Sequence, residues 1–216
     1  TLSFFPQRYL ILLILNAVYF FVYFHRISTG ILAPYLMEAF QATGASLGGM
    51  SSAYFYPYAL SQPLVGYLTD RFGPRKIITL AAGVSALGAL VFALAPTLWA
   101  AAIGRGLIGL GSGGIFVPAL RAIISWFGPG AFSHLNALML AVGNIGAIVA
   151  STPLAWVFLQ AGWRLPFGAI AAMMGMLMVL AWTILRDAPP GFQPAGQGKR
   201  KVPVSIRENF ALVLKM

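Results

Sequence analysis

Cysteine is absent from the 216 residues, so disulfides and thiolate metal sites are excluded. Acidic residues are nearly absent too: there are four Asp and Glu, alongside two His. No nucleophile–base pair or carboxylate pair can be assembled from so few groups. The chain is therefore expected to have no enzymatic activity, no cofactor and no metal site. Charge of either sign is scarce, at 8% of residues against about a quarter in soluble domains. Hydrophobic residues reach 59%. That pairing excludes a disordered chain, which needs low hydrophobicity and many charges, and most soluble globular proteins. The charge is one-sided, with 14 Lys and Arg and a formal net charge of +10. In a soluble protein this would suggest a nucleic-acid partner. Here the charges are too few to coat a surface, so a lipid bilayer is the expected surrounding and nucleic acid is not.

A membrane helix needs about 20 apolar residues to cross the hydrocarbon layer. Ser46–Leu68 and Leu165–Leu185 meet this without a charge, and Ile77–Ala95 closes at Pro96. Ala131–Gln160 is apolar apart from His134 and scattered Asn and Ser. Tyr9–Met37 and Thr97–Leu120 qualify if Arg26 and Arg105 lie inside the membrane. An all-α membrane protein with six spans is expected. The first span is too long for a signal peptide and lacks a cleavage pattern.

Loop charge sets the orientation. With the N-terminus inside, the cytoplasmic segments hold Arg8; Arg71, Arg75 and Lys76; Arg121; and the tail from Arg186 onward. Together these are 11 of the 14 basic residues, against Arg164 alone outside. Basic loops resist translocation, so the N-terminus is expected in the cytoplasm, with the chain in the inner membrane of a bacterium. Residues 1–187 read as one six-helix bundle. Residues 188–208, rich in Pro, Gly and Lys, read as a cytoplasmic linker. Residues 209–216 read as the start of a second half.

Internal repetition is visible in short matches. Gly30-Ile31-Leu32-Ala33-Pro34 resembles Gly114-Ile115-Phe116-Val117-Pro118, and Ser61-Gln62-Pro63-Leu64 resembles Ser151-Thr152-Pro153-Leu154. Spans one to three and four to six then form two related units. An odd number of spans inverts the second unit, an arrangement typical of transporters, whose Gly/Pro-interrupted helices point to the solute site. The stretch Gly109-Leu110-Gly111-Ser112-Gly113-Gly114 also matches Gly-x-Gly-x-x-Gly. It lies mid-span, where small residues serve close helix packing rather than nucleotide binding.

Between spans two and three stands Gly66-Tyr67-Leu68-Thr69-Asp70-Arg71-Phe72-Gly73-Pro74-Arg75-Lys76. It resembles the signature loop of the major facilitator superfamily, with Pro74 where the family usually has Arg. Arg105-x-x-x-Gly109-x-Gly111, Gly162-Trp163-Arg164 and Arg186-Asp187-x-Pro189 are similar to further family patterns. The resemblance implies the N-terminal six-helix half of a twelve-helix transporter, with the C-terminal half as its partner. It also implies a gating loop of Gly66, Asp70, Arg71, Gly73 and Arg75. On physical grounds Gly66 is expected to allow close helix approach, Gly73 a tight turn, and Asp70 a helix N-cap.

An Arg inside the bilayer must face a water-filled cavity or a partner. Helical spacing puts Asn16, Tyr19, Tyr23, Arg26 and Gly30 on one face. Tyr54 and Tyr58 share a face of span two, Arg105 lies in span four, and Asn136 and Asn144 lie in span five. Interhelical packing competes with solute contact for each Tyr and Asn. A guanidinium without a counter-charge attracts anions and binds carboxylate or phosphate through its fork. Arg26 after an aromatic pair, with Arg105 further on, resembles the organic-anion branches, the anion:cation symporters and organophosphate antiporters. In the symporters an Asp often precedes the first Arg; here it is His25, which makes His25 the coupling candidate. The expected activity is alternating-access transport of a small organic anion. Drug or siderophore efflux and a non-transporting membrane scaffold are the alternatives.

Overall fold

The computed structural model describes residues 4–189, with side chains from residue 7 onward. Among the described residues all regular structure is helical. The helices form six columns. The first three are α1 (Phe4–Phe40), α2 (Gly44–Phe72) and α3 (Pro74–Ala93). The fourth is broken into α4 (Leu98–Gly113) and α5 (Phe116–Phe127), and the fifth into α6 (Pro129–Val149) and α7 (Thr152–Ala161). The sixth is α8 (Arg164–Ile184). These match the six expected spans. By length and composition five of the six columns can cross a membrane; α2 is the exception. Its Ser, Gly, Tyr and Gln residues dilute the apolar run. Of the expected linker, 188–208, all but its first two residues lies outside the described residues, as does the segment 209–216.

Turn chemistry places the column ends. Thr43 caps α2, accepting the Ser46 N–H at 3.3 Å, and Thr97 caps α4, accepting the Ala100 N–H at 3.3 Å. Phe72-Gly73-Pro74 and Phe127-Gly128-Pro129 make the same turn twice. Each glycine sits at positive φ (86° and 77°), and each proline follows at the first helical position. The tight turn expected at Gly73 is therefore present.

The two repeat matches have unequal outcomes. Pro34 in α1 and Pro63 in α2 lie inside continuous helices. Their counterparts Pro118 and Pro153 fall in the first turns of α5 and α7, just after the breaks. In a first turn the missing proline N–H leaves no hydrogen bond unmade.

Glycine governs how the columns approach. Helix α4 is wedged between α2 and α3. A Cβ at Gly109 would strike the Tyr54 backbone on α2, and one at Gly111 would stand 2.5 Å from the Ala81 carbonyl oxygen on α3. The Gly-x-Gly-x-x-Gly match is thus a packing surface. On the other side α1 lies on α6, where Gly146 meets the Phe20 carbonyl. Span two on span four, and span five on span one, are the same contact once the two three-helix units are exchanged. That agrees with the repeat. Gly66 does not behave as expected: nothing lies within 4 Å of where its Cβ would stand, so no close approach occurs there among the described residues.

Opposite ends of the bundle are tied differently. At one end Arg164 donates to the Ala95 carbonyl at 3.1 Å, linking the start of α8 to the end of α3. At the other the α2–α3 turn, the end of α5 and the end of α8 meet. Five of the nine described basic residues, Arg71, Arg75, Lys76, Arg121 and Arg186, lie there.

Candidate functional site

The stripe on α1 and the tyrosines of α2 converge on one cavity of about 240 Å³. Its walls are Tyr19, Val22, Tyr23 and Arg26 from α1, and Tyr54, Phe55 and Tyr58 from α2. Phe116 at the start of α5 and Leu140 on α6 complete it. Five of the residues expected to meet solute are thus brought together: Tyr19, Tyr23, Arg26, Tyr54 and Tyr58. Helical spacing explains it, since positions 19, 22/23 and 26, and 54/55 and 58, recur every three to four residues on one face.

The rings hold one another in place. Tyr19 stacks on Phe116 with centroids 5.4 Å apart and packs on Tyr23 at 5.3 Å. Tyr54 stacks on Tyr58 at 5.9 Å. Such pairs are worth about 0.5–1.5 kcal/mol beyond their burial. Arg26 is exposed, and among the described residues its guanidinium is the only charge on the cavity wall and no carboxylate lines it. The Tyr54 hydroxyl is buried and has no hydrogen-bond partner among the described residues.

Arg105 does not line this cavity. It is 1% exposed, stands 4.9 Å from the Tyr54 ring, and donates to the His25 carbonyl at 2.9 Å. It ties α4 to α1 at the residue before Arg26. His25 is fully buried beside Phe21, Phe24 and Phe167, and neither ring nitrogen has a partner among the described residues. Asn16 spends its amide on the Leu12 carbonyl at 2.7 Å, and Asn144 spends its own on the Leu140 carbonyl at 2.9 Å. Neither they nor Asn136 line the cavity. Gly30 stands in open space on the same face as Arg26.

The signature loop makes a second cluster. Asp70 pairs with Arg121 of α5 rather than capping a helix. The N-cap of α3 is Gly73, which has no side chain to offer, so the Asp70 cap expected from the sequence is absent. Asp187, after α8, takes that part: its Oδ1 accepts the Arg75 N–H at 2.8 Å. Arg75 in turn donates its Nε to the Trp182 carbonyl at 3.0 Å and lies over the Trp182 ring at 4.6 Å. Trp126 Nε1 donates to the Arg186 carbonyl at 2.8 Å. Arg71 points elsewhere, donating to the Tyr67 hydroxyl at 3.0 Å. Sequence reasoning missed Arg121, Asp187 and Trp182 as partners of this loop, and Val22, Phe55, Phe116 and Leu140 as cavity walls. The basic residue ending span four was the available sign of Arg121; the apolar wall residues carried none.

Six apolar columns with inverted pairing, a lone guanidinium in an aromatic cavity and a cross-tied signature turn define half of a helical membrane transporter scaffold. Residues 15–215 match the Major Facilitator Superfamily, and the chain belongs to it. It is 28% identical over 187 residues to the probable sulfoacetate transporter SauU of Cupriavidus necator, covering 84% of this chain and 42% of that protein. It is 26% identical over 168 residues to the hexuronate transporter of Escherichia coli K12, covering 77% of this chain and 38% of that one. The chain thus spans about two fifths of these curated relatives. The fold is similar to that of a bacterial homologue of the human lysosomal transporter Spinster, solved facing inward and unoccupied. There the TM-score is 0.70 at 20% identity, covering 96% of this chain and 49% of that chain.

Proposed function

We propose that this chain is the N-terminal half of a transporter that moves a small organic anion by alternating access, with Arg26 as the anion's charge partner. One observation carries the reading: Arg26 stands on the wall of a membrane cavity with no carboxylate beside it. A guanidinium there is costly unless an anion balances it. Several relatives are transporters named for organic acids, which supports the class. The C-terminal half supplies the opposite wall. Rocking of the halves opens the cavity to each side in turn, and the Asp70–Arg121 and Asp187–Arg75 contacts latch the basic end. The N-terminus and linker lie in the cytoplasm, because by sequence the segments on that side carry 11 of the 14 basic residues, which resist translocation. His25 is the coupling residue, since its two unpartnered ring nitrogens can take a proton when α1 shifts against α8.

The test is reconstitution of the full-length protein in liposomes with a panel of labelled anions and cations. Losing a charge-assisted, bidentate contact costs about 1.5–3 kcal/mol. Arg26→Ala is therefore expected to weaken anion uptake at least tenfold at unchanged membrane content. Arg26→Lys is also impaired, because a point charge does not replace a planar fork. Full uptake by Arg26→Ala would rule out the anchor role.

A further inference from the structure

We propose that Gly143 is a positioning residue for the cavity: it sets where the Tyr19 and Tyr23 rings stand, and through them how tightly the solute is held. This rests on the reading above in taking the cavity as the path of an organic anion. The residues that α6 buries are Met139, Gly143 and Gly146, spaced four and three apart on one face. Leu140, beside that seam, reaches the cavity wall itself. Glycine inside a helix is disfavoured relative to Ala, so what Gly143 contributes is the room it leaves.

The two glycines of the seam meet α1 in different ways. A Cβ at Gly146 would strike the Phe20 carbonyl, a backbone group that cannot swing aside. A Cβ at Gly143 would instead stand 3.0 Å from Tyr19 Cε1 and 3.1 Å from Tyr23 Cδ2. Both are ring atoms of residues on the cavity wall. Non-bonded carbons prefer about 3.5–4.0 Å. An added methyl is therefore absorbed by the rings, which give by a few tenths of an ångström, while the helices keep their separation.

The rings do not move singly. Tyr19 packs on Tyr23 with centroids 5.3 Å apart and stacks on Phe116 of α5 at 5.4 Å. A push at Gly143 is thus passed to three rings of the wall. The α1 backbone stays in place, so the rings shift relative to Arg26, one turn beyond Tyr23. Misplacing a contact group by about 1 Å can cost about a hundredfold. A shift of a few tenths then corresponds to roughly three- to tenfold.

The experiment uses the full-length protein in liposomes, with labelled acetate, benzoate, glucuronate and sulfoacetate. Half-saturating concentration and maximal rate are measured for every anion that the wild type carries, in wild type, Gly143→Ala, Gly146→Ala and Arg26→Ala, alongside melting of each variant in detergent. Gly143→Ala is expected to raise the half-saturating concentration roughly three- to tenfold, with maximal rate per inserted protein within about twofold. Gly146→Ala is expected to do the reverse: it lowers the melting midpoint more, and leaves half-saturation of the inserted protein within about twofold. An unchanged half-saturation in Gly143→Ala overturns the assignment. So does an equal rise in Gly146→Ala, because the effect then reports helix separation rather than ring position. Failure of Gly143→Ala to insert overturns it too, since the rings then do not absorb the methyl. In each of these cases the organic-anion reading stands if Arg26→Ala is impaired. If the wild type carries none of the four anions, both fall.

Discussion

The packing argument has its sharpest consequence where α3 and α4 cross. A Cβ added at Gly104 would stand 2.7 Å from the Phe92 nitrogen and 2.9 Å from the Gly88 carbonyl oxygen. Both are backbone atoms of α3, so neither can swing aside. Two residues further on the same helix, a Cβ at Gly106 would stand 3.5 Å from the Ala53 carbonyl oxygen, an ordinary contact. Gly104→Ala and Gly106→Ala thus share one effect and differ in another. Both replace a helix-interior glycine, which favours the helix by about 1 kcal/mol. Only Gly104→Ala drives the helices apart, by about 0.8 Å if the new contact is to relax to roughly 3.5 Å. Overpacking of this kind costs about 1–3 kcal/mol. Gly106→Ala is therefore expected to be neutral to about 1 kcal/mol stabilising, and Gly104→Ala up to about 2 kcal/mol destabilising. The propensity gain cancels in the comparison, so the difference reports the crossing alone. Gly88→Ala serves as the reciprocal test, since its Cβ would stand 2.6 Å from the Ile108 nitrogen. Unfolding of the full-length protein in detergent, followed by heat or denaturant, reads the difference directly. Equal midpoints for Gly104→Ala and Gly106→Ala would refute the reasoning.

Other consequences follow at the tied end. Asp187→Ala removes the carboxylate that accepts the Arg75 N–H at the start of α3, and is expected to cost about 1 kcal/mol of stability by melting. Trp126→Phe keeps the ring but loses the bond to the Arg186 carbonyl, for a similar cost of about 1 kcal/mol; an unchanged melting point would show that this bond contributes nothing. Asp70→Asn breaks an exposed ion pair, so stability is expected to fall by under about 1 kcal/mol. A fall in transport rate at unchanged stability would separate latching from folding there. Arg105→Leu leaves the His25 carbonyl without its donor and Tyr54 without its cation, and is expected to weaken anion uptake even though Arg26 is intact. Wild-type uptake by this variant would show that Arg105 does not support the cavity.

The cavity was legible in part because helical periodicity survives in membrane helices. Tyr19, Tyr23 and Arg26, and Tyr54 and Tyr58, could be placed on their faces by counting. The apolar walls could not: Phe116 and Leu140 look like any lipid-facing residue until helix positions are known. Asn16, Asn144 and Arg105 lie off the described cavity wall. Each is a polar group in an apolar run, and such groups satisfy themselves on nearby carbonyls as readily as they face a solute. The Asp70 cap failed for a related reason. A carboxylate at a helix start is a local expectation, and here a basic residue 51 positions away claimed it, while Asp187 from the far end of the bundle took its place.

Composition alone determined that this chain lives in a membrane, because so many apolar residues with so little charge have no stable alternative in water. The turn residues determined where several columns end, since they act through local chemistry. Which polar residues share a cavity, which glycines touch backbone, and which carboxylate meets which Arg were decided only by tertiary structure. Those relations join residues up to 112 positions apart, from Arg75 to Asp187, and no local rule reaches that far.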